Sequence, residues 1–125
     1  MNKVNANDIV HIISFMVPSL NNSSISMRVK KSLVTKSGDK QFTVLGNNFK
    51  QSDVGLVLDG MLYDSRRIIV TSDMSLDEQI LHAKKVIESE AEQLKVKTTN
   101  LLRDINENLK KLDINAIEVV DETYE

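Results

Sequence analysis

Cysteine is absent from the 125 residues, proline occurs once, at Pro18, and neither glycine nor proline follows Gly60. The first absence excludes disulfide staples, thiol nucleophiles and cysteine zinc sites, and it leaves a chain that needs no oxidising compartment to fold. A cytoplasmic location is the expectation. Four glycines, at 38, 46, 55 and 60, are too dispersed for a Gly-x-Gly-x-x-Gly turn or a Walker lysine loop. Aromatics make up 4% of the chain, so only Phe15, Phe42, Phe49, Tyr63 and Tyr124 could stack on bases, which weighs against a single-stranded nucleic-acid platform. Long hydrophobic runs are missing too. The early apolar stretch from Ile9 to Val17 is interrupted by His11 and Ser14 and stops at Pro18, so it fits neither a signal peptide nor a membrane span.

Catalytic chemistry is equally thin. His11 and His82 sit in different elements without carboxylates at ligand spacing, so no metal site and no cofactor are expected. His11 reads as a partly buried, hydrogen-bonded core histidine and His82 as a helix-surface residue. No Gly-x-Ser-x-Gly elbow and no supported Ser-x-x-Lys pair supplies a nucleophile, and the chain reads as non-enzymatic.

What the sequence has is a long helical stripe. From Leu76 the apolar or small positions run Ile80, Ala83, Ile87, Ala91, Leu94, Thr98, Leu101, Ile105, Leu109 and Leu112, in steps of three and four. Ser75, Leu76, Asp77 and Glu78 match a capping box at its start. A helix over that stripe, from Leu76 to Leu112, would be roughly 55 Å long, against about 35 to 40 Å for a domain of this size. Either it stays whole and finds a partner, or it breaks near Lys97 to Asn100, where Thr98 and Thr99 are β-branched; continuity is the favoured reading. Strict heptads are absent because the steps drift at Ala91 and Leu109. A small sheet covers only about 20 Å of such a stripe, which leaves Leu94, Leu101, Leu102, Ile105, Leu109 and Leu112 as the expected interface with another copy.

The residues before the stripe read as a short helix and hairpins. Asn5, Asn7 or Asp8 could cap a first helix over Ile9 to Val17, stopped by Pro18. Its apolar residues go nearly all round, so it is either buried on more than one side or a strand in helical guise. Ser19 to Ser24 reads as a loop. Ile25, Met27, Val29 and Leu33 then alternate with Ser26, Arg28, Lys30 and Ser32 as in a half-buried strand. A turn at Ser37, Gly38 and Asp39 leads to a partner strand at Gln41 to Leu45. Asp59 and Gly60, between apolar runs at Val54 to Leu58 and Met61 to Tyr63, carry the two-residue hairpin signal. A last sheet strand is expected at Ile68 to Thr71 and a further one beyond Ile114, followed by an acidic end. The expected fold is therefore α+β in a single domain over 1–125: a short N-terminal helix and small antiparallel sheet of hairpins in 1–72, a long C-terminal amphipathic helix in 73–113, and a possible strand and tail in 114–125.

Charge adds a second theme. The formal net charge is −2, but residues 1–72 carry +4 and residues 73–125 carry −6. Arg28, Lys30 and Lys31 on one strand, with Arg66 and Arg67 on another, form a candidate anion-binding set, because guanidinium groups suit bidentate phosphate contact. Solvated strand faces would account for the same residues. Eleven asparagines with abundant lysine, isoleucine and serine suggest an AT-rich coding sequence, as in many phages and low-GC bacteria. The function expected from these features is a homo-oligomeric binding or adaptor protein, of the kind a phage uses as an inhibitor or accessory factor, whose partners are itself and another protein. The alternative is a nucleotide or nucleic-acid binder that uses the basic sheet face. No membrane partner is expected.

Overall fold

The apolar run that begins at Ile9 carries two sets of side chains, one at even and one at odd positions, and the fold buries both. The computed structural model describes residues 3–59, 65–116 and 118. In it the elements are β1 (Ile9–Met16), β2 (Ser26–Ser37), β3 (Gln41–Val44), β4 (Asn47–Lys50), β5 (Leu58–Asp59), β6 (Arg66–Ser72) and α1 (Leu76–Lys111). The strands form one antiparallel sheet in the order β4-β3-β2-β1-β6-β5. The class is α+β, but the N-terminal helix is corrected to a strand. β1 lies between β2 and β6, and a strand covered on both faces is apolar on both, which removes the alternation that would have marked it. Ile, Val and Phe also favour the pleated conformation. The asparagines ahead of it make a turn instead of a cap: Asn7 is left-handed (φ 69°), and Asp8 donates its amide to the Asn5 carbonyl.

The even positions face the inside of a curl. Val10, Val34, Phe42, Val44 and Val70 form one buried cluster with Val4, and Ile12, Phe49, Val54 and Ile68 pack against it. In a flat sheet β3 and β6 would lie about 14 Å apart, three strand spacings. Phe42 and Val44 of β3 share one buried cluster with Val70 of β6, and the sheet closes partway into a half-barrel. The odd positions face the helix: Ile13, Phe15, Val17 and Ile69 pack on Ala83 and Ile87 of α1, joined by Met27, Val57, Leu76, Ile80 and Val86. The first third of the helical stripe is thus the lid of the sheet, as its period implied.

Four local readings change. In β2 the expected burial holds only at Met27, which is half-buried: on the opposite face Ser32 and Val34 are buried while Arg28 and Lys30 are exposed, and of the expected face Val29 and Leu33, with Ile25 just before the strand, are exposed. Those odd positions point to the helix side, but α1 packs over β1 and β6 and leaves them uncovered. The stretch around Gly46, read as loose, is a tight turn in which Leu45 (φ 52°) and Gly46 (φ 78°) are both left-handed, as a two-residue type I′ connection between β3 and β4 requires. Asp59, by contrast, is a strand residue paired with Arg67, so it is not a central residue of a two-residue turn. Gly60 and the run to Tyr63 lie outside the described residues. Of the segment expected as a C-terminal strand, Ile114–Ala116 forms a 3-10 turn, with the Asn115 amide donating to Asp113 Oδ1 at 2.9 Å; most of the remainder is also outside the described residues.

α1 starts at Leu76 as the continuation of a 3-10 turn over Asp73–Ser75, so Ser75 lies within a helical turn and not at the cap the sequence suggested, and the helix does not break at the threonines. Thr98 and Thr99 both donate their hydroxyls to the Lys95 carbonyl, at 3.0 and 2.8 Å, which satisfies those groups inside the helix and allows two β-branched residues to be accommodated in it. The chain divides into two compact units, Met1–Leu94 and Lys95–Glu125, and the boundary falls within this helix. No helix among the described residues is long and apolar enough to cross a membrane.

Candidate functional site

The unit Lys95–Glu125 has no buried side chain among its described residues. Leu101 is 51% exposed, Leu102 62%, Ile105 45%, Leu109 62% and Leu112 64%, and these are five of the six residues expected at an interface. The sixth, Leu94, is half-buried. Along this part of α1 the residues Leu94, Thr98, Leu101, Ile105, Asn108 and Leu112 follow a heptad seam, alternating four and three apart. Leu102 and Leu109 lie next to it and widen the stripe to the three-residue face found in helical bundles. Asn108 puts one amide into the seam, which explains the drift noted at Leu109. Val96 is exposed as well, at 52%.

Of the five basic candidates, the structure gathers three and separates two. Arg28 pairs with Ser14 across the β1–β2 ladder and Lys30 with Ile12, while Arg66 pairs with Met16 across β1–β6. All three are on even positions of the half-barrel's inner face. Arg28 and Arg66 line one hollow of about 280 Å³ with Ser14, Ser26 and Met16. Lys31 is opposite His11 and so belongs to the helix-side face. Arg67 is on that side too, and its guanidinium is engaged: Nη2 is 3.3 Å from Glu90 Oε1 and Nε is 3.5 Å from Asp59 Oδ1. It fastens α1 to the sheet.

Sequence reasoning missed the rest of the inner face. A second cavity, of about 610 Å³, is lined by Phe49 and Lys50 of β4, by Leu58 and Asp59 of β5, by Arg66 and Ile68 of β6, and by Gln41, Asn47, Asn48 and Asp53. Both sheet edges therefore border one space, and Arg66 lines both hollows. Ser14, Leu58 and Ile68 were invisible as site residues because their common face exists only once β1 is a strand and the sheet has curled. The alternation of Arg28 and Lys30 was the one available signal for that face.

Other polar groups are structural in arrangement. His11 is buried, and its Nδ1 meets only the Asp73 carboxylate at 3.5 Å, too far for a good hydrogen bond. The expected hydrogen-bonded histidine is therefore buried without a bond at that nitrogen. Asp39, at the β2–β3 turn, has its carboxyl held below the ordinary range by a 2.9 Å hydrogen bond from Lys3 Nζ and by that ammonium's charge. Among the described residues no three His, Asp or Glu side chains gather into a group able to hold a metal ion. The chain matches no protein-family model, no curated protein and no solved structure.

Proposed function

We propose that the chain is a homo-oligomeric binding protein, non-enzymatic, that assembles through the stripe from Leu94 to Leu112 and presents its sheet to another protein. The observation that carries the reading is the exposure of five large aliphatic side chains on one helical face with nothing among the described residues of the Lys95–Glu125 unit packed on them. They amount to about 500 Å² of apolar surface, as large as the main patch of a typical monomer and a sizeable part of the roughly 800 Å² per partner of a standard interface. A second copy is the occupant the pattern selects, because a heptad seam is complementary to itself. The uncovered strip of Ile9, Val29 and Leu33 on β1 and β2 supports the second contact, with a partner protein.

The test is light scattering on the purified chain and on Leu101→Asp combined with Ile105→Asp. The wild type should be a dimer or larger at about 100 µM, and the double variant monomeric or insoluble, since each aspartate places an unpaired charge in the seam. A monomeric wild type at that concentration would remove the reading.

A further inference from the structure

The hollow of the half-barrel combines a basic end with an apolar cavity, and neither is used by the proposed assembly. At the basic end, register sets Arg28 and Arg66 on the two strands that flank β1, facing the same side. Their Cα atoms are about 10 Å apart across the strands and two residues offset along them, a span that two extended arginine side chains can close on one anion. Ser14, between them, adds a hydroxyl donor, and Lys30 extends the positive charge along β2. Two forked guanidiniums with a hydroxyl suit the tetrahedral oxygens of a phosphate.

Beyond Arg66 the hollow changes character. The adjoining cavity of about 610 Å³ falls in the range that holds a small ligand, and its apolar wall is Phe49, Leu58 and Ile68. Phe49 is stacked on Phe42, with ring centroids 5.8 Å apart, and is half-buried, which leaves a fixed aromatic surface at the cavity wall. Around it Asn47 and Asp53 supply both donors and acceptors, the complement of a heterocycle's edge. One aromatic wall and one anion position match a single nucleotide; a strand of nucleic acid needs successive stacking platforms.

We propose that the concave face binds a ligand of the nucleoside monophosphate class, its phosphate on Arg28 and Arg66 and its base against Phe49. Isothermal titration of the whole chain at low salt tests this, with the adenosine, guanosine, cytidine and uridine monophosphates, the four nucleosides, inorganic phosphate and a short single-stranded oligonucleotide as probes. At least one monophosphate should bind with Kd below about 1 mM and more tightly than its nucleoside or phosphate alone, because the two halves of the site act together. Arg28→Gln and Lys30→Gln, both exposed and tolerant positions, should each weaken it about tenfold. Phe49→Leu should weaken the nucleotide and leave inorganic phosphate unchanged. Three results would overturn the proposal: no monophosphate binding tighter than about 1 mM, Arg28→Gln without effect, or an oligonucleotide bound more tightly than every monophosphate.

Discussion

Single residues hold this fold where the backbone has no neighbour to pair with. The Gln51 side chain treats Val4 as a strand would: Oε1 accepts the Val4 amide at 2.9 Å and Nε2 donates to the Val4 carbonyl at 2.8 Å. Val4 is thereby kept in the inner core cluster. Gln51→Ala should cost about 1 to 3 kcal/mol, the penalty of stranding partly buried backbone groups, read as a lower urea midpoint at unchanged slope. Leu45 presents the opposite case, an exposed leucine in the left-handed conformation that asparagine adopts with less strain. Leu45→Asn should raise stability by about 0.5 to 1 kcal/mol, and Gly46→Ala, at φ 78° with open space around it, should lower it by about 1 kcal/mol through the backbone alone. If the two substitutions shift the midpoint in the same direction, the turn is not the type assigned. The Asp-Gly pair drew attention at the sequence level because it has the strongest turn propensity. The Leu-Gly pair went unseen because leucine has none, and only the pairing of β3 with β4 compels it.

At the level of elements, legibility tracked how many faces each element buries. α1 was readable from its start at Leu76 through the threonines, since one face is apolar and the other polar over 36 residues. β6 was readable from its β-branched run. β1 was not, because burial on both sides erases the period that separates strand from helix. β2 misled in another way: its apolar odd positions are real, but the helix that would cover them packs one strand further on. The basic set was legible by residue type and only partly by place, since Arg67 and Lys31 share the chemistry of Arg28 yet occupy the other face. For α1 itself, Asn108 is the one amide in an otherwise aliphatic stretch of the seam after Thr98. A polar seam residue lowers the stability of an assembly while fixing its register and number of helices. Asn108→Leu should therefore raise the melting temperature of the assembled chain and broaden its distribution of masses by native mass spectrometry. An unchanged melting temperature together with an unchanged single mass would place Asn108 outside the interface.

For the whole molecule, the charge division and the two compact units do not coincide: the change from basic to acidic falls at Asp73, whereas the units divide after Leu94, so the first unit holds both the positive strands and the acidic residues of the helix's first turns. One unit buries two clusters of apolar side chains, whereas the described leucines of the other and its Ile105 are exposed, which is the pattern of a part completed by association. Beyond Leu94 the helix has no buried side chain among the described residues and draws little stability from packing, so its later turns would open readily. Assembly would change that. The most direct measurement is hydrogen exchange, resolved by residue, on the unmodified chain over a range of protein concentrations. Amides from Val96 to Lys111 should become more protected as concentration rises, while those of β1 and β6 stay constant. Exchange across 96–111 that is fast and independent of concentration would contradict self-association through this helix.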